Sequence, residues 1–93
     1  MYAIVCLDRP DSGALRDAHR SAHLEFLKLH AKQIVFGGPL KHTPDGASTG
    51  ALIVVSCATR KEAEDLIGAD PFYRGGVYES VAVRAFKKVF PQE

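Results

Sequence analysis

Tryptophan is absent from these 93 residues, methionine occurs once and cysteine twice. Cys6 and Cys57 each sit inside an apolar run. So few cysteines exclude a disulfide-dense secreted scaffold, and they lack the paired spacing of a zinc site. They read as buried thiols that behave as small hydrophobes. Neither sign of charge dominates: 12 Lys and Arg stand against 11 Asp and Glu, a net charge of +1. No Lys/Arg block stands out either, so the footprint of a nucleic-acid binder is missing. No apolar run approaches the roughly 20 residues needed to cross a bilayer. Met1-Tyr2 leads straight into an apolar run without the basic stretch that opens a signal peptide. The expectation is a cytoplasmic protein with neither nucleic acid nor membrane as partner. A phosphate-cradling loop is also missing, because Gly37-Gly38-Pro39 and Gly75-Gly76 are too short and open no long helix.

The residues that are present make one domain's length of alternating patterns. Tyr2 to Leu7 is a short apolar run closed by Asp8-Arg9-Pro10-Asp11, a strand and a turn. Asp11 or Ser12 can cap a helix starting directly after the turn. Ala14 to Lys32 holds neither proline nor glycine, and Leu15, Ala18, Ala22, Phe26 and Leu29 recur at helical steps. That pattern predicts a helix with those residues as its core-facing stripe. Ile34 to Leu40 reads as a second strand, placed at a sheet edge by Pro39. A polar loop from Lys41 to Gly50 turns at Thr43-Pro44-Asp45-Gly46. Ala51 to Cys57 is a third strand. Thr59-Arg60-Lys61-Glu62 fits a capping box for a short helix ending near Gly68. Asp70-Pro71 opens a turn and Gly75-Gly76 closes it, before the longest β-like run, Val77 to Phe90.

The order strand, helix, strand, strand, helix, strand predicts an α+β, ferredoxin-like βαββαβ sandwich on a four-stranded antiparallel sheet. Two helices cover one sheet face. Yet the first strand is apolar at both parities, with Ile4 and Cys6 against Val5 and Leu7. The third is too, with Ile53, Val55 and Cys57 against Leu52 and Val54. Central strands of this kind are covered on both faces, and a second copy of the chain is the simplest cover.

Of the four histidines, His19, His23 and His30 lie on the first helix and His42 does not. At about 100° per residue the three fall within about 40° of one another. Such a row admits three readings: a metal site, boundary residues shielding the core edge, or a row containing an acid–base group, since imidazole titrates near neutral pH. The metalloprotease spacing is absent and no carboxylate completes a site, so no metal is expected. Asp70 is read either as a turn residue that bonds its own backbone or as a functional carboxylate. Arg74, Lys87 and Lys88 read as a solvated rim.

Several segments resemble the YCII-related family. Asp70-Pro71-Phe72, the Gly76-Val77-Tyr78 strand start and Phe86-Lys87-Lys88-Val89-Phe90 are similar to the family's C-terminal end. Arg20-Ser21-Ala22-His23-Leu24 with Leu27 resembles its Arg-x-x-His-Leu-x-x-Leu helix segment. Gly38-Pro39 resembles its Ala-Gly-Pro strand, with Gly37 in place of the alanine, and Gly50 to Val55 resembles its third strand. The resemblance implies a ferredoxin-like fold that pairs into a dimeric α+β barrel, hence a homodimer. It implies a catalytic His–Asp pair, here His23 and Asp70, in a cleft that takes a small molecule. Arg20, Phe72, Arg74 and Tyr78 are the candidate substrate contacts around that pair. His19, His30 and His42 match no family motif. One branch dehydrochlorinates a chlorinated hydroquinone-type compound, which implies a lyase or isomerase without a cofactor. The alternative is a non-catalytic binding or assembly module of the same fold.

Overall fold

The computed structural model describes residues 1–92. Its elements are β1 (Tyr2–Asp8), α1 (Gly13–Leu29), β2 (Ile34–Lys41), β3 (Ser48–Val55), α2 (Arg60–Gly68), the single-turn α3 (Pro71–Arg74) and β4 (Tyr78–Ala85). The strands form one antiparallel sheet in the order β2-β3-β1-β4. This is the ferredoxin-like sandwich that the element order predicts, with α3 added in the turn before β4.

The apolar central strands are β1 and β3, and β2, with its proline, lies at an edge. Ile4 pairs with Ile53 on one side and Val83 on the other, so all three share the face beneath the helices. With Cys6, Val55, Ala63, Leu66, Ile67, Phe72 and Val77 they form the core. Burial of these side chains in one contiguous cluster is the main favourable term in the fold. Gly50 in β3 owes its identity to crowding. A Cβ there would lie 2.1 Å from the Cys6 carbonyl oxygen of β1.

Caps and ends obey local chemistry. The Thr59 hydroxyl accepts the Glu62 amide N–H at 3.2 Å, and the Glu62 carboxylate reaches back to the Ala58 N–H at 3.1 Å. The box therefore closes one residue further out than its simplest form. β4 stops at Ala85, short of the predicted run to Phe90, because Ala85 pairs with Tyr2, the first residue of β1. Beyond it no partner strand remains.

The stripe expected on α1 is corrected. Leu15 is 38% exposed and Leu29 is 80% exposed. Ala18 and Ala22 are exposed as well, and only Phe26 of that set packs against the core. The inward residues are Arg16, His19, His23, Phe26 and Leu27, continued by His30 at the cap. This helix buries a polar flank instead of the apolar one. That is tolerable only because the polar groups find partners.

Candidate active site

α1 and the turn after α2 meet beside β1. Asp70 is the N-cap of α3 and Pro71 its first residue, a favoured pairing because proline has no N–H to leave unsatisfied. The Asp70 Oδ1 accepts the Phe72 amide N–H at 2.9 Å. The same oxygen lies 2.7 Å from His23 Nδ1. Tyr78 donates its hydroxyl to Oδ2 at 3.3 Å. Asp70 therefore bonds its own backbone, as the turn reading expects, and the same oxygen also contacts an imidazole. Asp70 is fully buried, and the His23 side chain is 13% exposed. A carboxylate already accepting an N–H and an O–H takes a donor at Nδ1. In a neutral ring this geometry places the proton on Nδ1 and the lone pair on Nε2.

Phe72 stacks on the imidazole, ring centroids 3.9 Å apart and planes 7° from parallel. It meets Tyr78 edge-on at 6.2 Å. His19, one turn before His23, packs on Gly75, where a Cβ would come within 2.5 Å of its ring. Two histidines of the row thus seat α1 on the turn that carries Asp70. His30 is apart from them, its Nδ1 3.2 Å from the Gln33 side-chain oxygen. His42 is exposed. Among the described residues no three His, Cys, Asp or Glu are placed to hold one metal ion.

Behind Asp70 lies Cys6. Burial, reinforced by the Asp70 charge, pushes its thiol up to about 12, although contact with the Tyr78 hydroxyl pulls the other way. Burial first and the Asp70 charge second also push the Tyr78 phenol above its usual range. Near neutral pH neither supplies an anion.

His23 and Phe72 form part of the wall of a cavity of about 500 Å³ between α1, β2 and β3. Arg20 lines it too, although its guanidinium bonds the exposed Asp17 at 2.9 Å. Arg74 and Tyr78 do not line it. Arg74 is exposed on α3, and Tyr78 is buried behind Asp70, where its hydroxyl supports the carboxylate.

Arg16 and Asp8 belong to the site although no motif marked them. Arg16 Nε and Nη2 bond the two Asp8 oxygens at 2.6 and 3.1 Å, and Nη2 also donates to the Gly50 carbonyl at 3.1 Å. The guanidinium lies over Phe72, 4.9 Å from the ring centroid. The seven-residue step Arg16–His23–His30 is the signal that places Arg16 on the His23 face.

Fold and site together define a class: a ferredoxin-like domain with a carboxylate–imidazole pair, its imidazole at the wall of a cavity of about 500 Å³. The YCII-related domain matches residues 1–87, and the chain belongs to that family. Protein YciI of Escherichia coli O6:H1 is 35% identical over 97% of this chain and 99% of that protein. A Haemophilus influenzae protein is 32% identical over 96% of this chain and 98% of its own length. Among solved structures, 5-chloro-2-hydroxyhydroquinone dehydrochlorinase from Burkholderia phenoliruptrix AC1100, in complex with 2,5-dihydroxybenzoquinone, superposes with a TM-score of 0.85 at 27% identity. That match covers 92% of each chain.

Proposed function

We propose that this chain is a small acid–base enzyme of the lyase or isomerase type that acts on a small cyclic molecule. The carrying observation is the 2.7 Å contact between His23 Nδ1 and the fully buried Asp70, with the His23 ring at the cavity wall. In this reading Nε2 takes a proton from the bound ring compound. In a dehydrochlorination, chloride leaves with the C–Cl electron pair and the electrons of the broken bond to hydrogen form the new double bond. Asp70 steadies the imidazolium while it exists, the role a carboxylate plays beside a catalytic histidine. Phe72 keeps the ring in plane. Both working groups are side chains of this chain, so the reading asks for no cofactor.

The assembly that goes with it is a homodimer closed over the open sheet face. Val5, Leu7 and Leu52 carry the parity opposite to Ile4, Cys6 and Ile53, away from the helices, while Val54 of the same parity is already buried within the chain. Leu7 is 50% exposed there, and Phe36, paired with Val54, is 54% exposed. An apolar face of this kind supports an interface.

The test is chloride release and solvent-deuterium incorporation with chlorinated hydroxyhydroquinones and related cyclic enols. Turnover that is lost in His23→Gln and Asp70→Asn, while both variants stay folded, supports the enzyme. A ring compound that binds at His23 and returns unchanged supports the binding-module alternative. Turnover that survives His23→Gln refutes the assignment.

A further inference from the structure

The guanidinium of Arg16 is a built donor site. Its side chain is 10% exposed, and Asp8 and the Gly50 carbonyl together take Nε and Nη2. Nη1 takes part in none of these bonds. Among the described residues no buried side-chain nitrogen or oxygen lacks a hydrogen-bond partner, so Nη1 meets solvent. Arg16 lines the same cavity as His23. Asp8 thus clamps the Nε/Nη2 edge of a planar fork and leaves the Nη1 end unused, and Arg16 also lines a second cavity, beside Asp8, Asp11 and Asp17. A clamped guanidinium loses little freedom on binding, which is what makes arginine a good ligand for carboxylates and related oxyanions.

The rest of the lining sharpens the chemistry. Leu24, Leu27, Ile34 and Ile53 supply apolar wall, Arg20 adds a second cation, and among the described residues the lining holds no Asp or Glu. A neutral apolar ligand that filled this space would strip water from Nη1 and leave a charged donor unpaired, an unfavourable exchange. An apolar ring bearing one anionic oxygen satisfies wall and donor together.

We propose that Arg16 Nη1 is the anchor for a carboxylate, enolate or phenolate oxygen of the substrate, so that the cavity selects small ring compounds carrying one acidic oxygen. The anchored oxygen holds the ring while Nε2 of His23 works at a neighbouring atom. The proposal rests on the cavity's being the substrate site.

The probe pair is benzoate and benzamide, two rings of nearly equal shape that differ in charge. Each is titrated into the wild-type protein with NMR detection, including the side-chain ¹⁵N resonances of Arg16. The same titrations are run on Arg16→Lys, which keeps a cation beside Asp8 but loses the fork, and on His23→Gln. The expected result is benzoate tighter than benzamide by about tenfold, the scale of one charge-assisted hydrogen bond. Benzoate, and not benzamide, should shift the Arg16 guanidinium signals. The preference should collapse in Arg16→Lys and persist in His23→Gln. If Arg16→Lys does not fold, the wild-type guanidinium signals decide alone. Equal affinities in the wild type, a preference unchanged in Arg16→Lys, unmoved Arg16 signals, or no benzoate binding at about 10 mM overturns the proposal. Such a failure is separable from failure of the acid–base reading. The anion subsite falls alone if the His23 proton still sits on Nδ1, and it stands alone if benzoate binds through Arg16 while that proton sits on Nε2.

Discussion

Phe72 lies flat against His23, planes 7° apart and centroids 3.9 Å, while its own amide N–H bonds Asp70 Oδ1, the oxygen that also holds the imidazole. One residue therefore sets the histidine's plane with its ring and the carboxylate's position with its backbone. Replacing Phe72 by leucine keeps the amide and removes the stack. The fold should survive with a loss of roughly 1–3 kcal/mol, the usual range for reshaping a buried aromatic site. The His23 ring should then show faster side-chain motion in NMR relaxation. An imidazole equally rigid in Phe72→Leu would show that the stack does not position it.

Gly50 tests how tightly the site is built into the sheet. A methyl group there would sit 2.1 Å from the Cys6 carbonyl oxygen, too close without a backbone shift, and the Gly50 carbonyl is itself bonded by Arg16. Gly50→Ala should therefore destabilise by about 1–3 kcal/mol in denaturant unfolding. It should also move the Arg16 side-chain resonances. A variant as stable as the wild type would mean the strands separate more easily than the register suggests.

Alkaline pH should weaken the fold. The Cys6 thiol ordinarily ionises near 9.0 and is held up to about 12 in the folded chain. The unfolded chain therefore gives up that proton first as pH rises. The stabilisation is full below pH 9.0 and is lost progressively towards about 12. The raised Tyr78 phenol acts in the same direction from its ordinary value of 10.0 upward. Denaturation midpoints should fall above pH 9.0, and less steeply in Cys6→Ala, which has no proton to lose. Both cysteines are buried, so a thiol reagent should label them at the unfolding rate. Fast labelling of Cys6 in native protein would contradict its burial.

The open sheet face leads to an assembly prediction. Leu52, opposite Val5 in β3, is half-buried in a single chain. Light scattering after size exclusion should give a dimer for the wild type and a monomer for Leu52→Lys. A wild-type monomer at micromolar concentration would rule the dimer out.

Much of this was readable in the residues, for physical reasons that differ from place to place. The two-sided apolar pattern of Ile4, Val5, Cys6 and Leu7 placed β1 at the sheet centre, because a central strand with apolar groups on both faces loses the alternation and reads as a continuous apolar run. Asp70-Pro71 announced a turn, and the turn proved to be an N-cap. Helix α1 misled. Its Leu15, Ala18, Ala22 and Leu29 look like a core stripe yet face outward, while Arg16, His19 and His23 face inward. Hydropathy counts arginine and histidine as polar whether or not they are paired. It cannot see that Asp8 and Asp70, from other elements, satisfy Arg16 and His23. The same blindness hid Arg16 from the site and drew Arg74 and Tyr78 towards the cavity. Sequence proximity to Asp70 is no guide to which way an exposed Arg74 or a buried Tyr78 points.

In the proposed mechanism Asp70 sets His23 up as a base with its lone pair on Nε2, and ¹⁵N NMR of the His23 ring reads that tautomer. In neutral protein the proton should sit on Nδ1 with Nε2 bare, and it should move towards Nε2 in Asp70→Asn. A wild-type ring carrying its proton on Nε2, unchanged by Asp70→Asn, would contradict the claim.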